Sequence, residues 1–135
     1  MKKWPPLVLL AFLVLLLAPH SNASAQQGKP DLVKRGEYLV RIMDCGGCHT
    51  VGGLFFQPDT DKFLIGDTVG FTGPWGTAYP KNLTPDDETG LGKWTDEEII
   101  KALRLRVRKN GKPTLPMLPT FDALSDEDVR AIAAY

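Results

Sequence analysis

Cysteine and histidine are scarce in this 135-residue chain, with two of each, and neither sign of charge dominates, since 16 basic residues face 16 acidic ones. Two cysteines cannot make a disulfide-rich scaffold. With Lys2 and Lys3 set aside, the chain from Gln26 onward carries 14 basic residues against 16 acidic ones. That balance lacks the electrostatic footprint of a general nucleic-acid binder. Long hydrophobic runs are also missing, apart from the twelve residues 7–18. A spanning helix needs about 20 apolar residues, so this run falls short.

Lys2 and Lys3, the apolar run, Pro19 and the small residues Ala23-Ser24-Ala25 have the three-part layout of a secretory signal. Residues 1–25 are read as a signal peptide cleaved after Ala25, and residues 26–135 as one domain that is periplasmic or secreted. An uncleaved anchor is the competing reading, because a thinned bilayer accepts a short hydrophobic stretch. Membrane association would otherwise come only through a partner.

Beyond Gln26, Leu32, Val33, Tyr38, Leu39, Val40, Ile42 and Met43 fall at helical spacing after Pro30 and Asp31, a helix start. Thr95 and Glu98 form a capping-box pattern ahead of Ile99, Ile100, Leu103 and Val107. It predicts a helix to about Arg108, stopped by Asn110-Gly111 and Pro113. Ser125 with Asp128 repeats the start signal for a last helix whose Val129, Ile132 and Tyr135 share a face. Residues 50–93 are rich in Gly, Pro, Asp and Thr and read as loop. No stretch alternates convincingly as a strand does, so the fold class is all-α, several helices and long loops. A loop that long in a compact domain points to a ligand around which it wraps.

Cys45-Gly46-Gly47-Cys48-His49 is the C-x-x-C-H pattern of covalent haem c attachment. Two thiols must add to the two vinyl groups of one porphyrin, so they must lie close and face the same way, as one helical turn allows. The adjacent histidine then meets the iron as an axial ligand, and Gly46 and Gly47 leave space beside the macrocycle. Three other chemistries share the spacing: a structural disulfide, a thioredoxin-like pair and half of a zinc site. A thioredoxin-type pair opens a helix after a strand, whereas Cys45 follows an expected helix. A structural zinc needs four ligands, and no second Cys/His pair exists.

The second axial ligand is sought among few residues. His20 lies in the signal, so bis-histidine ligation is excluded once the signal is removed. Met43 sits two residues before Cys45, on the proximal side. Met117 lies 68 residues after His49 in Leu115-Pro116-Met117-Leu118-Pro119, where the prolines make a stiff extended strap. Met117 is therefore the expected sixth ligand, against the competing reading of methionine as flexible core filler. His/Met ligation raises the haem potential and leaves no vacant site, which suits one-electron transfer. Were Met117 not bound, a haem enzyme or gas sensor with an open distal site would be the alternative.

At these residues the chain resembles the class I c-type cytochromes, over about residues 32–135. More narrowly, residues 79–86 (YPKNLTPD), residues 89–98 (TGLGKWTDEE), the closing Leu124-Ser125-Asp126-Glu127-Asp128 and Ala133-Ala134-Tyr135 resemble haem domains of the cytochrome subunits of bacterial alcohol, aldehyde and gluconate dehydrogenases. The resemblance implies the class I cytochrome c fold around one haem, with the helix carrying Gly36 and Leu39 crossing the terminal helix near Tyr135 and sealing one haem edge. It also implies an electron carrier or electron-transfer subunit rather than an enzyme, with a dehydrogenase as donor and a cytochrome or oxidase as acceptor. Those subunits often carry several attachment motifs and continue further, so a continuation beyond Tyr135 is expected; their methionine is commonly followed by proline, where Leu118 stands here.

Tyr79, Asn82 and Trp94 can donate hydrogen bonds to haem propionates, which an apolar pocket must not leave unpaired; packing and turn roles explain them equally well. Phe55, Phe56, Phe71 and Trp75 are expected to cover porphyrin faces or edges. Arg104, Arg106, Arg108, Lys109 and Lys112 precede the strap, where they either steer an acidic partner or complement a helix C-terminus.

Overall fold

The computed structural model describes residues 28–115 and 121–135. The signal-peptide reading of residues 1–25 and the expected ligand Met117 lie outside the described residues.

The first helix, α1 (Lys29–Ile42), opens two residues before the Asp31 expected to start it. Pro30 sits in its first turn, where a missing N–H is harmless, and Asp31 faces the positive end of the helix dipole. The helix closes as Met43 N donates to Leu39 O and Asp44 N to Arg41 O. Asp44 then takes a left-handed conformation, φ 54°, and the chain turns straight into α2 (Cys45–His49).

Loops follow, with 3-10 turns at Gly53–Phe55 and Thr60–Lys62. Within them stands a small antiparallel ribbon, β1 (Phe71–Gly73) and β2 (Gly76–Ala78), with Thr72 opposite Thr77. The sequence reading expected no strand. Three-residue strands around Pro74-Trp75 are too short to display an alternation, and the all-α class is unaffected.

Helix α3 (Asp96–Leu105) begins with the expected capping box: Glu98 N donates to Thr95 Oγ1 at 3.2 Å, and Thr95 N to Glu98 Oε2 at 3.0 Å. It ends at Leu105, three residues short of Arg108. Arg106 is left-handed, Val107 pairs with Pro113, and Arg108 N donates to Lys112 O at 2.8 Å. A hairpin about Asn110-Gly111 has thus displaced the last helical turn. Helix α4 (Asp126–Ala134) starts where Ser125 Oγ accepts from Asp128 N at 3.0 Å.

The core lies where α1 crosses α4, and α3 also packs against α4. Leu39, Val40, Val129 and Ala131 are buried there, each large side chain contributing about 1.5–3 kcal/mol. Gly36 sets the approach, because a Cβ there would stand 1.9 Å from Ala131 O and 2.8 Å from Tyr135 Cβ. Arg35 clamps the crossing with a 3.0 Å ion pair to Asp128. The helix pairing that the resemblance implied is therefore present, and glycine is what permits it.

Candidate haem site

One turn of α2 places Cys45 and Cys48 three residues apart, hence on the same helix face, with both thiols free and half-buried. Burial pushes the Cys45 thiol up, as does neighbouring Asp44, against a backbone hydrogen bond that lowers it. Cys48 is raised by burial and then by Asp44. A reactive redox pair needs the opposite, a thiolate stabilised by positive surroundings. Among the described residues no cluster of three or more His, Cys, Asp or Glu side chains could hold a metal ion.

His49 Nδ1 lies 2.7 Å from Lys81 O. A carbonyl can only accept, so Nδ1 carries the proton and Nε2 presents its lone pair. Burial lowers the imidazole's proton affinity, opposed by the Lys81 hydrogen bond, and the neutral ring is the form that binds iron. The backbone of the motif is anchored as well: Gly66 N donates to His49 O at 2.8 Å, and Leu64 N donates at 3.1 Å to Oγ1 of Thr50, a fully buried residue.

The motif glycines also make room within the chain itself. A Cβ at Gly46 would meet the Phe63 ring at 2.7 Å, and one at Gly47 would meet the Asp44 carboxylate at 2.4 Å. Both admit protein neighbours. Gly53 packs in turn on the carbonyls of Gly46 and Gly47.

The remaining expected residues are spread over the loops. Tyr79 is half-exposed at the end of β2, its ring against Gly70. Asn82 follows Lys81 directly and organises its own loop, Nδ2 donating to Thr89 Oγ1 while Oδ1 accepts from Thr84 N and Thr84 Oγ1. Trp94 is half-buried ahead of the α3 cap, its backbone N–H donating to Leu91 O, and Leu91 N donates to Thr84 O. Asn82 and Trp94 thus belong to one hydrogen-bonded loop, while Tyr79 stands two residues before Lys81. Phe71 is half-buried by the chain itself, which leaves Phe55, Trp75 and especially Phe56, 96% exposed, uncovered.

Two members of the basic cluster are structural. Arg104 donates to Leu124 O and pairs with Asp126 at 2.7 Å, and Lys109 pairs with Glu98 at 2.8 Å while donating to Lys93 O. Arg106 is also engaged. The sequence reading missed the Lys81 carbonyl and the Leu64, Gly66 and Asp67 contacts. Backbone acceptors carry no side-chain signature, and only Gly66-Asp67 hinted at a turn.

Residues 33–135 match the family described as Cytochrome c. The chain belongs to the cytochrome c family. It is 40% identical over 129 residues to the cytochrome c subunit of alcohol dehydrogenase (quinone) from Gluconobacter oxydans (strain 621H), covering 94% of this chain and 25% of that protein. It is 39% identical to the gluconate 2-dehydrogenase cytochrome c subunit of Pantoea cypripedii, covering 93% and 27%. The fructose dehydrogenase cytochrome subunit of Gluconobacter japonicus is 33% identical, covering 100% and 28%. The chain therefore spans about a quarter of the length of these relatives. All three are named as cytochrome subunits of dehydrogenases.

Covalently bound haem c is the cofactor of this cytochrome family, and Cys45 and Cys48 have the spacing for it. The residues fit the group. Two neutral thiols share a face, a neutral imidazole keeps its Nε2 lone pair free of the proton, and apolar side chains including Phe63, Leu83, Trp94 and Leu103 remain only half-buried by the chain itself. Thr114 Oγ1 is buried with no hydrogen-bond partner among the described residues, a donor suited to an acidic group next to the strap. No helix among the described residues is long and apolar enough to cross a membrane.

Proposed function

We propose that this chain is a single-haem electron carrier, taking electrons one at a time from a dehydrogenase and passing them to a downstream cytochrome or oxidase in the periplasm or outside the cell. Residues 1–25 act as its export signal, cleaved after Ala25. The observation that carries the reading is the 2.7 Å contact between His49 Nδ1 and Lys81 O, one turn from two same-face thiols. Such a contact fixes the tautomer and orientation of an iron-binding histidine and strengthens it as a donor.

Haem iron supplies a reversible one-electron couple when bound. The chain's residues do the rest. Cys45 and Cys48 would hold the macrocycle covalently, and His49 and Met117 would supply the two protein ligands to its iron. Tyr79, Asn82 and Trp94 donate to the propionates; for Asn82 the group in question is the second hydrogen of its amide. With both His49 and Met117 as ligands, small molecules would be kept off the iron, which suits electron transfer rather than substrate chemistry.

Near-infrared absorption of the ferric protein, beside Met117→Ala, tests the ligand set. The weak sulfur-to-iron charge-transfer band should be present in the wild type and absent from the variant. A wild type without the band, whose reduced form binds carbon monoxide readily, would instead support an open distal site.

A further inference from the structure

One short segment grips His49 from two sides. Residues 64–67 run between the attachment helix and the stretch that carries Lys81. Toward the helix, Gly66 N donates to His49 O at 2.8 Å and Leu64 N to Thr50 Oγ1 at 3.1 Å. Toward Lys81, Leu83 N donates to Leu64 O at 2.8 Å and Asp67 N to Pro80 O at 3.3 Å. Pro80 O is the carbonyl immediately before the one that takes the His49 proton. The fit leaves no slack at Gly66: its φ is +93°, and a Cβ there would stand 2.7 Å from Pro80 O and 3.1 Å from the Lys81 carbonyl carbon.

Asp67 is the side chain that fixes this segment. Its Oδ2 accepts from Gly52 N at 2.9 Å and its Oδ1 from Val69 N at 3.0 Å. Gly52 lies three residues beyond His49, so the carboxylate ties the exit of the attachment helix to the segment that seats the Lys81 peptide. Side-chain, backbone and packing contacts therefore converge on a single 2.7 Å distance.

We propose that Asp67 is a positioning residue for the proximal imidazole, holding the backbone of residues 80–82 where the Lys81 carbonyl keeps the His49 Nδ1 proton. The inference rests on His49 being the iron ligand. A hydrogen bond at the outer nitrogen makes an imidazole a stronger donor to its metal, and a stronger donor favours the ferric state. Loosening Asp67 therefore weakens the hydrogen bond and raises the reduction potential.

The experiment compares haem-loaded wild type, Asp67→Asn and Asp67→Ala by reduction potential and by the exchange rate of the His49 Nδ1 proton in NMR. Asp67→Ala should raise the potential and speed exchange by about ten-fold, the scale of one lost hydrogen bond. Asp67→Asn keeps one acceptor oxygen and should fall between. If Asp67→Ala does not accumulate, Asp67→Asn is judged by the same two readouts. A raised potential with unchanged exchange would assign the effect to the missing charge acting at a distance and overturn the proposal. A lowered melting temperature with both readouts unmoved would overturn it too. If the wild type has no iron-shifted His49 Nδ1 proton, the ligand reading falls with the inference; if that proton is present but indifferent to Asp67, only the inference falls.

Discussion

The crossing of α1 and α4 and the loops that carry the His49 contacts are built by different means. At the crossing, apolar side chains at helical spacing meet over a glycine, and Leu39, Val40, Val129 and Ala131 are buried. Among the described residues around His49, the buried side chains are Thr50 and Leu64, and the fixing is done by backbone and carboxylate hydrogen bonds. The first region resists unfolding through buried area; the second holds one imidazole in one orientation. Stability and function can therefore be perturbed separately.

The largest separation should come from the attachment residues. Cys45→Ser with Cys48→Ser should abolish retention of the chromophore after denaturation, checked by mass spectrometry and visible absorption. Next, Gly36→Ala must force α1 and α4 apart, because the new methyl would overlap the Ala131 carbonyl. It should cost about 2–3 kcal/mol, read by denaturant unfolding, and leave the reduction potential of the surviving folded protein unchanged. A shifted potential would mean that the crossing also controls the iron.

Thr50→Val removes the acceptor of the Leu64 N–H at a fully buried residue. An orphaned buried donor costs about 1–3 kcal/mol, and this variant should change both stability and potential, since it belongs to the loop region. The smallest effect belongs to Thr95→Ala, which breaks the α3 capping box and should cost about 1 kcal/mol with no spectroscopic change.

Acid sharpens the same contrast. Backbone N–H groups, that of Val69 foremost, hold the Asp67 carboxyl below the usual carboxylate range, and those of Thr89 and its neighbours do so for Asp86. A depressed folded pKa contributes stability above the unfolded value, about 3.9, that is lost as pH falls through the lower folded value. Hydrogen exchange in that window should rise at Gly52, Val69 and Thr89 before it rises at Leu39 and Val129.

How much of this was legible in the sequence divides along the same line. Helix starts were readable because a cap is a local pattern, as with Thr95-Glu98 and Ser125-Asp128. The end of α3 was not, because Arg106 turns left-handed only to let Val107 reach Pro113 across the hairpin. The attachment helix was readable because its chemistry demands fixed side chains at fixed spacing. Its supports were not, since Lys81 contributes a carbonyl that every residue possesses, and Asp67 looked like any loop acid. Gly46 and Gly47 stand out in the motif, but their neighbours Phe63 and Asp44 emerge only once the chain is folded.

The most direct test of the account is the mass of the full chain, expressed with haem attachment and exported, then denatured and measured under reducing conditions. The account predicts the mass of residues 26–135 plus one haem, with the increment lost in the double serine variant. A colourless chain whose Cys45 and Cys48 alkylate freely after reduction would contradict it.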